Sequence, residues 1–371
     1  MSSSIRAGRK PAAFAARLLA WYDRHHRELP WRVSPKAFAA GERPDPYRVW
    51  LSEVMLQQTT VEAVKPFYGA FLDRWPAVAD LAAAQSDDVM RAWAGLGYYS
   101  RARNLLKCAR AVVEQHGGRF PEHVSTLRTL PGIGAYTAAA VAAIAFGRRE
   151  AVVDGNVERV IARHRAIGVP YPAVKREIGA IVAALTPGDR SGDFAQAMMD
   201  LGATVCSPRR PSCLVCPVSE DCEGLAKGNP EQFPLRSPKP ARPVRRGAAF
   251  VAIRPDGAVL LRQRPESGLL GGMTEVPTSS WNASMDGDTT PSAAPFPADW
   301  TAAGQIIHVF THFELRLDVY RARASLSPPP GTWWSGDPAS EALPTVMRKA
   351  LAAATDGASR QSASKRPKGN R

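Results

Sequence analysis

Four cysteines, Cys206, Cys213, Cys216 and Cys222, fall in the spacing C-x6-C-x2-C-x5-C, while the fifth, Cys108, lies far upstream. Four thiolates in so short a stretch suit a metal ion or a cube of iron and sulfide, and would make a cramped disulfide pair. By spacing alone, zinc and iron–sulfide serve equally well. Further upstream, Glu53 lies inside the apolar run Val49-Trp-Leu-Ser-Glu-Val-Met-Leu56, where burial raises a carboxyl's pKa and holds its proton. Asp154 belongs to the turn Val153-Asp-Gly-Asn156, directly ahead of a helix, where an aspartate ordinarily serves as N-cap. In Leu130-Pro-Gly-Ile-Gly134 the glycines Gly132 and Gly134 allow a tight turn that brings backbone amides near a phosphate, at the positive end of the next helix. Its plainer reading is an ordinary helix–helix turn.

These residues need elements to hold them. From about Phe14 to Leu225 the periodicity is helical: Phe14, Leu18 and Tyr22 repeat at i, i+4, i+8, Thr137 to Phe146 is apolar enough for a buried helix, and Val174 to Leu185 is amphipathic. The pattern predicts an all-α domain over 1–227. Residues 228–246, rich in Pro, Lys and Arg, read as a linker. Beyond them the period becomes two. Ala249–Arg254 and Ala258–Gln263 flank a Pro-Asp-Gly turn as a hairpin, and Phe313, Leu315, Leu317 and Val319 alternate with polar residues along a half-buried strand. The stretch Asp286 to Asp299 reads as a loop and Glu341 to Ala353 as a closing helix. This gives a second, α+β domain over 247–354, followed by a disordered basic tail over 355–371.

At 371 residues the chain is long enough for two cores, and no apolar run approaches the about 20 residues of a membrane span. Clustered cysteines suit a reducing cytosol, so a cytoplasmic protein associated with the nucleoid through DNA is expected. With 48 basic against 34 acidic residues, the formal charge of +14 favours polyanionic partners, although charge alone does not establish nucleic acid. The cysteine loop Ser207-Pro-Arg-Arg-Pro-Ser212 presents Arg209 and Arg210, a natural phosphate clamp or two solvated arginines.

Leu51-Ser-Glu-Val-Met-Leu-Gln-Gln-Thr59, Gly95-Leu-Gly-Tyr-Tyr-Ser-Arg-Ala-Arg-Asn104, the glycine turn, Val153-Asp-Gly-Asn-Val157 and the four cysteines occur in order. Together they resemble the MutY-type adenine DNA glycosylases of the helix-hairpin-helix superfamily, over almost the whole chain. The resemblance implies a six-helix barrel module plus an iron–sulfur module whose cysteines carry a [4Fe-4S] cluster, and it decides against zinc. It implies removal of adenine mispaired with 8-oxoguanine or guanine in duplex DNA, by a monomer that can meet other repair or replication proteins.

Expelling adenine from an N-glycosidic bond requires a proton for the base and an anion for the cation left at C1′. The resemblance assigns the proton to Glu53, delivered to adenine N7, and the stabilising charge to Asp154, with a transient covalent bond as one form of that role. Tyr136 and Asn156 are implied to support Asp154. Tyr136 stands where bifunctional relatives carry a lysine; a phenol forms no Schiff base, so the enzyme is expected to be monofunctional. Gln196 matches a residue touching the extruded adenine, and Gln58 and Tyr98 match residues inserted into the duplex. Glu158 departs from relatives that have lysine there. The C-terminal half resembles a Nudix-like domain that recognises 8-oxoguanine, with Thr311 and His312 contacting the lesion. Leu270 replaces the tryptophan of some members, and the carboxylate cluster of a magnesium-dependent pyrophosphatase is missing after Glu275. The rivals are a sister glycosylase for pyrimidines and a non-catalytic iron–sulfur DNA-binding protein. Tyr136 argues against a bifunctional oxidised-pyrimidine glycosylase, Glu53 and the C-terminal domain against a mismatch thymine glycosylase, and the Glu53/Asp154 pair against the binding protein.

Overall fold

A computed structural model describes residues 11–170, 172–235, 241–325 and 327–363, with side chains described to 355. Its contacts divide into two units, Met1–Ala83 with Asn104–Lys239, and Ala84–Arg103 with Pro240–Arg371. The segment Ala84–Arg103 lies within the 1–227 expected for the helical domain, yet groups with the second unit. There the Tyr98 hydroxyl meets Thr311 Oγ1 and the Arg103 guanidinium donates to the Gly271 carbonyl.

The first unit is helical. Helix α1 (Pro11–His25) buries Phe14, Leu18 and Tyr22, the stripe set by their four-residue spacing. Helix α2 (Pro46–Leu56) starts sharply because the Asp45 carboxylate accepts from the Tyr47 and Arg48 amides and Pro46 supplies the first-turn φ. Helix α3 (Ala135–Phe146) is apolar on every side, so it can be stable only in the interior, and it packs against α2 and α5 (Ser191–Asp200). Helix α4 (Gly155–His164) is capped by Asp154. After α5 the chain takes one wider π-helical turn, Leu201–Val205, and delivers the first cysteine of the cluster.

The second unit is a mixed sheet with helix α6 (Thr345–Ala363). Strands β1 (Val244–Ile253), β2 (Val259–Gln263), β3 (Thr274–Glu275), β4 (Thr301–Val309), β5 (Glu314–Arg323) and β6 (Thr332–Ser335) lie in the order β3-β2-β1-β5-β4, with β6 also on β2. Among the described residues, β1 and β5 run parallel and the other strand pairs are antiparallel. Val346, Met347, Ala350 and Ala354 of α6 close the core over Leu315, Leu317 and Val319. The expected hairpin forms, with Ile253 facing Val259. Strands β3, β4 and β6 have no counterpart in the sequence reading. Gly304, at φ +121°, sits at a bulge that breaks the alternation of β4, and the four residues of β6 are too few to set a period. Helix α6 continues to Ala363, beyond the expected start of the tail at 355; residues 364–371 lie outside the described residues. Within the expected linker, β1 begins at Val244, and residues 236–240 are outside the description.

Candidate active site

A cleft of about 1160 Å³ in the helical unit is lined by Glu53, Tyr136, Asp154, Asn156, Gln196 and Gln58 together with Gly132 and Gly134. Glu53 projects from the buried face of α2 and is only 6% exposed. Burial raises its pKa to about 7; the Tyr136 hydroxyl and Arg32 oppose that rise, and the charge of Asp154 adds to it. Tyr136 stands on the first turn of α3 and donates its hydroxyl to Glu53 Oε2 at 2.8 Å. It was expected to support Asp154 and the transition state; its hydrogen bond is to Glu53, and the charge of Asp154 also acts on it. Burial, and then the charge of Glu53, push the phenol well above its ordinary range, so it stays a donor.

Asp154 performs two tasks at once. Its Oδ1 accepts from the Val157 amide at 2.8 Å, the N-cap bond of α4, and its Oδ2 accepts from Asn156 Nδ2 at 2.8 Å. Asn156 in turn accepts through Oδ1 from Arg159 Nη2 at 2.9 Å, and Arg159 Nε donates to the Cys206 carbonyl at 2.9 Å. A continuous line of hydrogen bonds therefore joins the catalytic candidate to the first cysteine. Gly202 makes the approach possible, since a Cβ there would fall 2.6 Å from Asn156 Cβ. Arg159 escaped the sequence reading, as did Arg163, which donates to Phe233, Cys206, Ser207 and Pro208 carbonyls. Their one signal was two arginines four residues apart on a helix face otherwise filled by Val160 and Ile161.

All four cysteines border one small cavity, together with Arg163. Among the described residues, no three His, Cys, Asp or Glu side chains converge closely enough for a single ion. Arg209 and Arg210 are exposed on the loop between the first two cysteines, and Arg210 adopts φ +50° with its amide bonded to Glu231.

At the glycine turn, Gly132 has φ +75° and a Cβ there would fall 2.7 Å from Asn104 Cβ. Gly134, the N-cap of α3, brings no side chain to the first-turn amides, which leaves them available to an anion. Gln196 is 5% exposed on α5, so it is no surface residue. Glu158 also lines the cleft, and Lys175, from the next helix, approaches it at 3.8 Å. Gln58 is exposed at φ +58°, a left-handed conformation that costs a non-glycine residue on the order of 1 kcal/mol.

In the second unit, Tyr98, Thr311, His312 and Leu270 line a separate cavity of about 500 Å³. Tyr98 is 45% exposed and also left-handed, at φ +49°. The turn carrying Thr311 and His312 is closed by Phe310 N donating to the Phe313 carbonyl at 2.8 Å, and the two rings stack at 4.7 Å. Glu275 is 1% exposed and paired with Arg262, at 2.8 Å, and Arg264.

The helical unit with its glycine turn is that of the base-excision glycosylases. Residues 51–182 match the model of the HhH-GPD superfamily base excision DNA repair proteins, and residues 248–353 match the NUDIX domain. The chain belongs to the adenine DNA glycosylase family. It is 38% identical to the adenine DNA glycosylase of Homo sapiens over 91% of this chain and 73% of that protein. The Mycolicibacterium smegmatis adenine DNA glycosylase is 43% identical over 57% of this chain and 70% of its own length. Among solved structures, a thermostable thymine-DNA glycosylase superposes with a TM-score of 0.51 at 30% identity, covering 58% of this chain and 97% of that one.

Proposed function

We propose that this protein hydrolyses the N-glycosyl bond of adenine mispaired with 8-oxoguanine or guanine in duplex DNA, without cutting the strand. The observation that carries the reading is the meeting of Glu53 and Asp154 in one cleft, the first buried and proton-holding near pH 7, the second fixed at a helix start. Glu53 passes its proton to adenine N7 as the C1′–N9 bond breaks and its electron pair leaves with the base. Asp154 faces the cation left at C1′. Water then adds to C1′ and returns a proton to Glu53. Gln196 meets the extruded adenine, and Gln58 and Tyr98 each enter the stack; their left-handed backbones support this, because such strain gathers at working positions.

The exposed turn Gly132–Gly134 and the uncapped first turn of α3 support phosphate binding, with Arg209 and Arg210 as a second clamp. Cys206, Cys213, Cys216 and Cys222 would hold a [4Fe-4S] cluster, which would supply a rigid brace for the loop, while the positive potential near the phosphates comes from Arg209 and Arg210. Thr311 and His312 of the Nudix-like domain read 8-oxoguanine. Glu275, already held by two arginines, is not free for magnesium.

The test is base release from duplexes carrying adenine, thymine or cytosine opposite 8-oxoguanine. Adenine alone should leave, and strands should break only after alkali. Release of thymine, or tight binding with no base released, would remove the reading. Replacing Thr311 and His312 by Ala should narrow the preference for 8-oxoguanine over guanine more than it slows excision. Equal losses on both duplexes count against the C-terminal assignment.

A further inference from the structure

Asp200 closes helix α5, one turn beyond Gln196, and is 0% exposed. Its Oδ1 accepts from Arg27 Nε at 2.6 Å, and its Oδ2 accepts from the Arg27 amide at 3.0 Å and Arg32 Nη1 at 2.7 Å. Arg27, Leu29, Trp31 and Arg32 come from the loop after α1 and form part of the wall of the cleft that holds Glu53. An ionised carboxyl in the interior is strongly disfavoured unless paired, so a carboxylate with both oxygens engaged by arginines is a built feature. The assigned chemistry does not use it.

We propose that Asp200 is a positioning residue of the base pocket, fixing Arg27 and Arg32 on its wall and cancelling the charge that Arg32 would otherwise direct at Glu53. The inference rests on the proposed acid role of Glu53. The groups that act on Glu53 are Tyr136 from α3, Asp154 at the head of α4, and Arg32 from the loop. Arg32 itself feels Asp200, Tyr22 of α1 and Glu53. Tyr22 also feels Arg190 and Asp193 at the start of α5. Within this set Arg32 is the one cation acting on Glu53, and a cation favours the ionised carboxyl, which is useless as a proton donor. Asp200 holds that cation in a salt bridge whose arginine side chain is 7% exposed, where solvent screens little. Two demands are thereby reconciled: a donor-rich wall for the base, and a protonated acid beside it.

The test follows the protonation of Glu53 in the full protein, by the infrared band of its neutral carboxyl, assigned by its absence in Glu53→Gln, and by the pH dependence of single-turnover adenine release. In Asp200→Asn both should move down by about one pH unit. In Asp200→Asn with Arg32→Gln both should return towards the wild-type position, even where the absolute rate stays low. A uniform loss of rate with an unmoved titration would reduce Asp200 to a strut and overturn the proposal. Should Asp200→Asn fail to fold, Arg32→Gln alone must move the band up in pH, and an unmoved band again overturns it. Wild-type protein that shows the titration but releases no adenine would sink the functional reading and leave the electrostatic one intact.

Discussion

Glu53 carries a cost that its chemistry explains. A carboxyl raised from 4.5 to about 7 in the folded state binds its proton more tightly there than in the unfolded chain. Folding is therefore unpenalised below about pH 4.5, and stability falls as pH climbs through the interval to about 7, by up to a few kcal/mol. Glu53→Gln should flatten that slope in urea titrations while reducing adenine release by at least roughly 100-fold, the usual scale of a lost general acid. A variant with unaltered pH dependence of unfolding would show that the side chain is solvated. Tyr136→Phe removes a bond that favours the ionised carboxyl, so the alkaline limb of the rate profile should move to higher pH. Movement the other way would mean that Tyr136 acts mainly on Asp154.

The elements decide which of these side chains could be read in advance. Pattern marked Glu53 as a carboxyl interrupting an apolar run and Asp154 as a cap before a helix start, and the family resemblance supplied their pairing. Arg159, Arg163, Arg32 and Asp200 were not so marked. Each is a charge with at least one partner far along the chain, as Asp200 has in Arg27 and Arg32 and Arg159 in Cys206, and periodicity has no term for a distant partner. The helical framework followed from spacing alone, whereas β4 was hidden by the bulge at Gly304. Arg159 gives this scale its prediction. Arg159→Gln loses donors to Asn156, Gly202 and Cys206 together, so excision should slow by roughly 10-fold or more while the glycine turn still holds DNA. A variant with full activity and a normal melting temperature would show that the line from Cys206 to Asp154 carries nothing.

For the whole molecule, charge governs the encounter. A formal +14 spread over 371 residues should make affinity for undamaged duplex fall by about 10-fold or more between roughly 50 and 200 mM salt, because each neutralised phosphate releases a counterion. A flat salt response would contradict phosphate clamping. On the proposed reading, the cysteine loop adds a separable contribution. The α1, α2, α3 and α5 packing closes without its side chains, so Cys216→Ser should keep the helical circular dichroism signal but lose most DNA affinity. Full affinity in that variant would remove the loop from the interface.

Both oxygens of Asp154 are already engaged, one as the cap of a helix and the other with Asn156. An ester from either oxygen to the sugar would therefore be formed against an existing bond, and its hydrolysis would be drawn forward by that bond's return. Should the proposed chemistry pass through such an ester, the helix start would act as a spring on it, shortening the life of the sugar-bound state.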